Sequence, residues 1–163
     1  GNDVTLKDMA KLCDVFYIGG TKNGALFGEA LVILNDALKP DFRYYIKQNG
    51  GMLAKGRLLG IQFEVLFADD LYWRNAKHAN AAAQKIAAHL QQLGVKMLID
   101  SASNQIFPIF ADEVLKKLRT QFELGTWERV DESHTAVRIV TSWDTSEKAV
   151  RIFNQAVSRY LNA

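Results

Sequence analysis

Lys22 stands alone in the turn-forming run GGTKNG, between Gly19-Gly20-Thr21 and Asn23-Gly24, with the apolar runs VFYI and EALVI on either side. An amine there is either the solvated tip of a hairpin, for which Asn-Gly is a strong signal, or a nucleophile. Lysine attacks a carbonyl only as the free amine, so its ordinary pKa of about 10.4 must be lowered by burial or neighbouring cations. Spacing alone favours the hairpin tip. A phosphate-cradling loop is not matched, because GGTKNG lacks the G-x-x-x-x-G-K-[ST] order.

Arg138 lies in AVRIVTSW, where Val137, Ile139 and Thr141 share one strand face and Ala136, Arg138 and Val140 the other. An arginine among apolar neighbours needs a carboxylate. Glu128 or Asp131 within the chain is the plain choice, and a bidentate ligand carboxylate is the alternative. Lys55 and Arg57 follow Asn49-Gly50-Gly51 and read either as a solvated helix face or as cations for an anion. His78 and His89 lack the spacing of a metal pair and read with Lys85 as a solvated stripe. His134 falls in a turn. Cys13 reads as a small buried apolar residue, and Trp73, Trp127 and Trp143 as core or interface residues. No pair of carboxylates stands out as acid and base.

These residues need elements to hold them. Asp3 is an expected N-cap for a short helix that carries Leu6, Met9 and Ala10. Residues 14–18 and 28–34 are apolar and β-branched enough for strands covered on both faces. A helix follows over 42–47, a second over 52–68 with Gly56 and Gly60 on one face, and a long amphipathic helix over 71–93 capped by Gly94. That long helix carries the stripe Ala79, Ala82, Ala83, Ile86, Ala87, Leu90 and Leu93.

Residues 95–99 and 104–110 read as strands, with Pro108 demanding an edge or a bulge. Asp112 opens a helix bearing Leu115, Leu118 and Phe122. TWERV and HTAVRIVTSW alternate as antiparallel strands do. Asp144 to Glu147 resembles a capping box for a last helix with the stripe Ala149, Phe153, Ala156, Val157 and Tyr160. The pattern is α/β at first and α+β towards the C-terminus.

Composition narrows the function classes. With 163 residues, 48% apolar, the chain can bury a core, and 20 basic against 18 acidic residues leave a net charge of only +2. That field is too weak to argue for nucleic acid or an anionic membrane. No run reaches the roughly 20 apolar residues of a membrane span. A single cysteine points to a reducing, cytoplasmic setting. Gly1, in place of an initiator methionine, reads as the remnant of a cleaved tag.

DVFYIGGTKNGALFGEALVI, KQNGGMLAKGRLLGIQFEVLF and VRIVTSW, in that order, resemble segments of the low-specificity threonine aldolases, in the β-eliminating lyase family of fold type I pyridoxal-phosphate enzymes. The resemblance implies a Schiff-base lysine at Lys22 and a Thr21 hydroxyl near the cofactor phosphate. It gives Arg138 the substrate α-carboxylate. Leu53 stands where the family carries a phosphate-side arginine, and Lys55 is the expected substitute.

Residues 1–70 would be the C-terminal tail of the large cofactor-binding domain, and 71–163 a linking helix and the small C-terminal domain. The implied reaction cleaves threonine or allo-threonine to glycine and acetaldehyde in a homo-oligomer, dimer or tetramer. The family's remaining cofactor and acid–base residues match nothing here. A fragment of this kind is expected to be inactive by itself and to expose apolar surface on 14–34 and 52–68. Elimination from an aromatic amino acid, or a non-catalytic interaction domain, are the alternatives.

Overall fold

Thr5 and Asp8, not Asp3, open the first helix. The Thr5 hydroxyl accepts from the Asp8 amide while the Asp8 carboxylate takes the Thr5 N–H, a reciprocal cap that starts α1, Leu6–Leu12. The computed structural model describes residues 3–162. Gly1 lies outside them. The chain divides into two compact units, one ending at Trp73 and the other beginning at Arg74.

In the first unit, β1 (Val15–Gly19) pairs antiparallel with β2 (Glu29–Ile33), Val15 facing Ile33 and Gly19 facing Glu29. The expectation of strands covered on both faces fails here. They form a two-stranded ribbon with exposed positions alternating along each strand, Tyr17 at 68% and Leu31 at 46%. After α2 (Phe42–Gln48) the chain does not run into a helix at residue 52. Residues 52–56 form loop and turn, and α3 starts only at Arg57, ending at Phe67. Nor does Gly60 admit a neighbouring backbone, and Gly56 is approached only by the Leu53 carbonyl of its own turn. A Cβ on Gly60 would meet nothing within 4 Å. Phe63 and Leu66 are the buried residues of α3. Exposed apolar side chains run along both expected stretches, among them Leu26, Phe27, Leu31, Leu58, Ile61 and Val65.

The second unit carries the larger core. Helix α4 spans Leu71–Gln92 and buries Ala79, Ala82, Ala83, Ile86, Ala87 and Leu90, as its stripe predicts. Gly94 follows at φ +79°. The sheet is built around β6 (His134–Val140), which pairs with β5 (Gly125–Arg129) on one side and with β3 (Gln105–Ile106) and β4 (Ile109–Ala111) on the other. Both short strands keep one register against β6, so they are a single strand interrupted at Pro108. The Val137 N–H still donates to the Pro108 carbonyl at 3.0 Å, but proline returns no N–H.

Residues 95–99 do not form the expected strand. That segment makes only the bridge Met97 to Pro108, flanked by Leu98 N–H to Phe107 O and Ile109 N–H to Lys96 O. Pro108 is therefore neither at an edge nor in a bulge. The bulge lies on β5, between Thr126 and Glu128. Helices α5 (Asp112–Leu118) and α6 (Glu147–Leu161) complete the unit. Ser146 caps α6 by accepting from the Ala149 N–H, and Val150, not Ala149, takes the buried position.

Leu90, Leu118, Val137 and Val157 are each 0% exposed at the centre of one cluster with Ile86, Phe110, Leu115 and Phe153. Among the described residues, no helix is long and apolar enough to cross a membrane.

Candidate functional site

The nine residues 20–28 join β1 to β2, so the hairpin is real but its connection is not a two-residue Asn-Gly turn. Its first part is a single 3-10 turn, Thr21–Asn23, closed by Gly24 in the left-handed region. The Gly20 carbonyl accepts from both the Asn23 and the Ala25 N–H at 2.9 Å. Gly20 is required by packing. A Cβ there would sit 2.7 Å from the Ala25 Cβ and 3.0 Å from the Phe63 ring. Gly28 is required twice over, by φ +86° and by Leu59 Cδ2 only 2.3 Å from a Cβ position.

Two side chains outside the loop hold it. Gln62 of α3 accepts from the Leu26 N–H at 2.7 Å and donates to the Phe27 carbonyl at 3.4 Å and the Leu58 carbonyl at 3.1 Å. The Tyr72 hydroxyl donates to the Gly19 carbonyl at 2.8 Å and accepts from the buried Asn23 side chain. Burial raises the Tyr72 pKa, and the Asn23 hydrogen bond opposes the rise. Tyr72 stacks between Phe67 and Trp73, each centroid 5.3 Å away. Sequence inspection singled out neither Gln62, Tyr72 nor Asn23. A buried asparagine beside the lysine was the available signal.

Lys22 projects from this held turn, exposed, beside exposed Thr21. Among the described residues its side chain has no ion pair or hydrogen bond. The side chain is not buried, contrary to the expectation for a nucleophile; the amine and the neighbouring hydroxyl are the donors it offers to an aldehyde bearing a phosphate. Lys55 is exposed in the loop before α3. A cavity of about 690 Å³ in the same unit is lined by Arg43, Lys47, Gly51, Leu53 and Arg57, without Lys55. Three cations and no carboxylate line it, a grouping that the sequence spacing does not reveal.

Arg138 in the second unit is exposed, not buried, so it needs no internal carboxylate. Its cross-strand partner on β5 is Gly125, which has no side chain to cover it. The guanidinium lies 5.9 Å from the centroid of Trp127, at the β5 bulge, and Trp127 packs edge-on against Phe107. Among the described residues Arg138 has no ion pair. Asp131 is taken by the Ser133 N–H and by His134 Nδ1 at 3.0 Å, which hold its pKa down at about 2. Arg129 pairs with Asp112 at 2.6 Å, and the Thr135 hydroxyl, donating to the same carboxylate, is the main cause of its lowered pKa.

The histidines of α4 are not a solvated stripe. His78 Nε2 meets the Thr145 carbonyl at 2.9 Å, and His89 Nε2 meets the Asn154 carbonyl and the Ser158 hydroxyl. Lys85 pairs with Glu147. These contacts tie α4 to α6 and its N-cap turn. Cys13 is half-buried at the end of α1, and the three tryptophans are half-exposed. No cluster of metal-ligating side chains exists among the described residues.

The chain is 34% identical over 139 residues to the low-specificity L-threonine aldolase of Pseudomonas sp. (strain NCIMB 10558), an alignment covering 85% of this chain and 39% of that protein. The low-specificity L-threonine aldolase of Pseudomonas aeruginosa is 32% identical over the same shares of each chain. A solved structure of Leishmania major threonine aldolase superposes with a TM-score of 0.94 and 46% identity, over 98% of this chain and 47% of that one. A serine palmitoyltransferase of Sphingomonas wittichii, at 13% identity and a TM-score of 0.56 over 82% of this chain and 36% of that one, shares the fold alone. No protein-family model matches the chain. The chain spans 39% of the length of the curated relatives it matches. Over that span the chain's homologues are low-specificity L-threonine aldolases, and it has the mixed α/β structure of fold type I pyridoxal-phosphate enzymes.

Proposed function

We propose that this chain is the C-terminal portion of a pyridoxal-phosphate-dependent aldolase that cleaves threonine or allo-threonine to glycine and acetaldehyde. Residues up to about 70 are read as the tail of its cofactor domain and the rest as its small domain. The observation that carries the reading is Lys22, an exposed amine without an ion-pair partner among the described residues, on a turn strapped at both ends. The relatives named above support the substrate class.

Lys22 holds the cofactor aldehyde through its amine. The Thr21 hydroxyl and the Lys55 ammonium are read as contacts to the cofactor phosphate, Thr21 as a hydrogen-bond donor and Lys55 as a point charge. Arg138 receives the substrate α-carboxylate on its two-pronged guanidinium, with Trp127 fixing the plane of that fork. When bound, pyridoxal phosphate serves as the sink for the electron pair released when the Cα–Cβ bond breaks. The proton of the β-hydroxyl leaves as acetaldehyde forms, and the α-carbon gains a proton to give glycine.

The test uses the full-length protein. Incubation with pyridoxal phosphate, borohydride reduction and peptide mapping should place the adduct on Lys22, and L-threonine should yield glycine and acetaldehyde in equal amounts. Adducts scattered over surface lysines would return Lys22 to a hairpin tip. Pyruvate and ammonia from an aromatic amino acid, without glycine from threonine, would replace the aldolase with an eliminating lyase.

A further inference from the structure

We propose that Tyr72 is a positioning residue for Lys22. It straps both sides of the lysine turn and so fixes where the amine is presented.

The inference rests on the reading of Lys22 as the cofactor anchor, but its physical basis is separate. The Tyr72 hydroxyl has one proton to give and one lone pair to fill here, and both are committed. The proton goes to the carbonyl of Gly19, at the end of β1, at 2.8 Å. The oxygen accepts from the side chain of Asn23, on the far side of Lys22. One phenol thus bridges the residues that flank Gly20-Thr21-Lys22. Asn23 is 8% exposed, so without the phenol its amide would face a half-buried site with a hydrogen bond missing.

The phenol is itself fixed. Its ring is packed between Phe67 and Trp73, and Phe67 contacts Phe63, which underlies Gly20. The strap therefore leads through Phe67 to Phe63 of α3, and movement of Lys22 away from its position must break both hydrogen bonds. Few apolar contacts could substitute. In residues 3–73 the buried apolar side chains are Ala25, Phe63 and Leu66.

The experiment compares full-length wild-type protein with Tyr72→Phe, Asn23→Ala and Tyr44→Phe. Tyr72→Phe keeps the ring and removes the strap; Asn23→Ala cuts the strap from its other end should the first variant fold poorly; Tyr44→Phe removes an exposed phenol hydroxyl of α2, away from the strap. Three readouts are taken: amide hydrogen exchange at Asn23 and Ala25, affinity for pyridoxal phosphate, and the pH dependence of borohydride-trapped adduct on Lys22. We expect exchange at both amides to quicken and cofactor affinity to fall about threefold to tenfold in the first two variants. The pH dependence of Lys22 trapping should also move, which a generally destabilised fold would not produce. Tyr44→Phe should match the wild type in all three.

Unchanged turn exchange and unchanged affinity in Tyr72→Phe, with wild-type adduct on Lys22, would overturn the positioning role and leave the anchor intact. Absence of adduct on Lys22 in the wild type, with turn exchange still quickened by Tyr72→Phe, would overturn the anchor and leave Tyr72 as a purely structural strap.

Discussion

Replacing Arg138 separates binding from folding more cleanly than any other change in this chain. The guanidinium is exposed, lacks an ion-pair partner among the described residues, and touches Trp127 at 5.9 Å. Its removal therefore costs the fold little, at most about 0.5–1 kcal/mol for an exposed cation–π contact. A substrate carboxylate would lose a charge-assisted pair of hydrogen bonds. Hydrogen bonds to charged groups contribute about 1.5–3 kcal/mol, so loss of about 3 kcal/mol lowers kcat/KM roughly a hundredfold at about 1.4 kcal/mol per decade.

Arg138→Ala in the full-length protein should show that loss with a nearly unchanged unfolding midpoint. Arg138→Lys keeps the charge without the fork and should lose about tenfold. The assay is steady-state release of acetaldehyde from L-threonine, repeated with threoninamide, whose α-carbonyl group carries no negative charge. Wild type should strongly prefer threonine, and Arg138→Ala should lose most of that preference. An Arg138→Ala enzyme within threefold of wild type, or one equally impaired with both substrates, would refute the carboxylate role.

The remaining predictions concern the structure around these sites. Leu118, 0% exposed in the second unit's core, should cost about 2–5 kcal/mol when changed to Ala, seen as a lowered denaturation midpoint. Gly28→Ala combines φ +86° with a 2.3 Å approach to Leu59 and should destabilise the first unit by about 1–3 kcal/mol, read by hydrogen exchange across residues 20–28. Asp131 has a folded pKa of about 2, below its ordinary value of 3.8, so its stabilising effect is complete above that ordinary value and fades as pH falls towards 2. Thermal midpoints of wild type and Asp131→Asn should therefore converge on acidification through this window, and a constant gap would show that the carboxylate's charge is not involved.

Most helices were legible because each carries a stripe that only one period satisfies. Helix α4 is the clearest instance, with all six of its buried residues in the predicted stripe. Misreadings arose where a neighbour decides the outcome. Residues 95–99 have a strand's composition, yet they make a single bridge, Met97 to Pro108, between two hydrogen bonds, and the pairing goes no further. The 52–68 run is largely apolar, but residues 52–56 stay out of the helix after α2 and its glycines, and no periodicity marks the start at Arg57. Arg138 looked buried from its alternation. The exposing feature is Gly125 on the opposite strand, together with a bulge at Trp127, and cross-strand register is invisible in one strand's residues. Lys22 was singled out through the family resemblance, since spacing alone favoured a hairpin tip, whereas its neighbours Gln62 and Tyr72 lie 40 and 50 positions on and are recognised only by folding the chain.

The two units hold their candidate residues by different physics. Arg138 sits on a strand whose neighbour Val137 is 0% exposed in a core of well-packed aliphatic and aromatic side chains, so its backbone is fixed by apolar burial and its side chain is left free. Lys22 has no comparable core beneath it. Its turn is closed by the Gly20 carbonyl, clamped downstream by Gln62 and bridged by Tyr72, and only Phe63 and Leu66 supply buried apolar mass from α3. Apolar burial is non-directional, so it does not by itself fix the orientation of the groups it covers. Hydrogen bonds lose their value steeply once geometry fails. A polar strap therefore holds the amine to a narrower range of positions than a few more leucines would, and a nucleophile that must meet one carbonyl carbon is where such a restriction is useful.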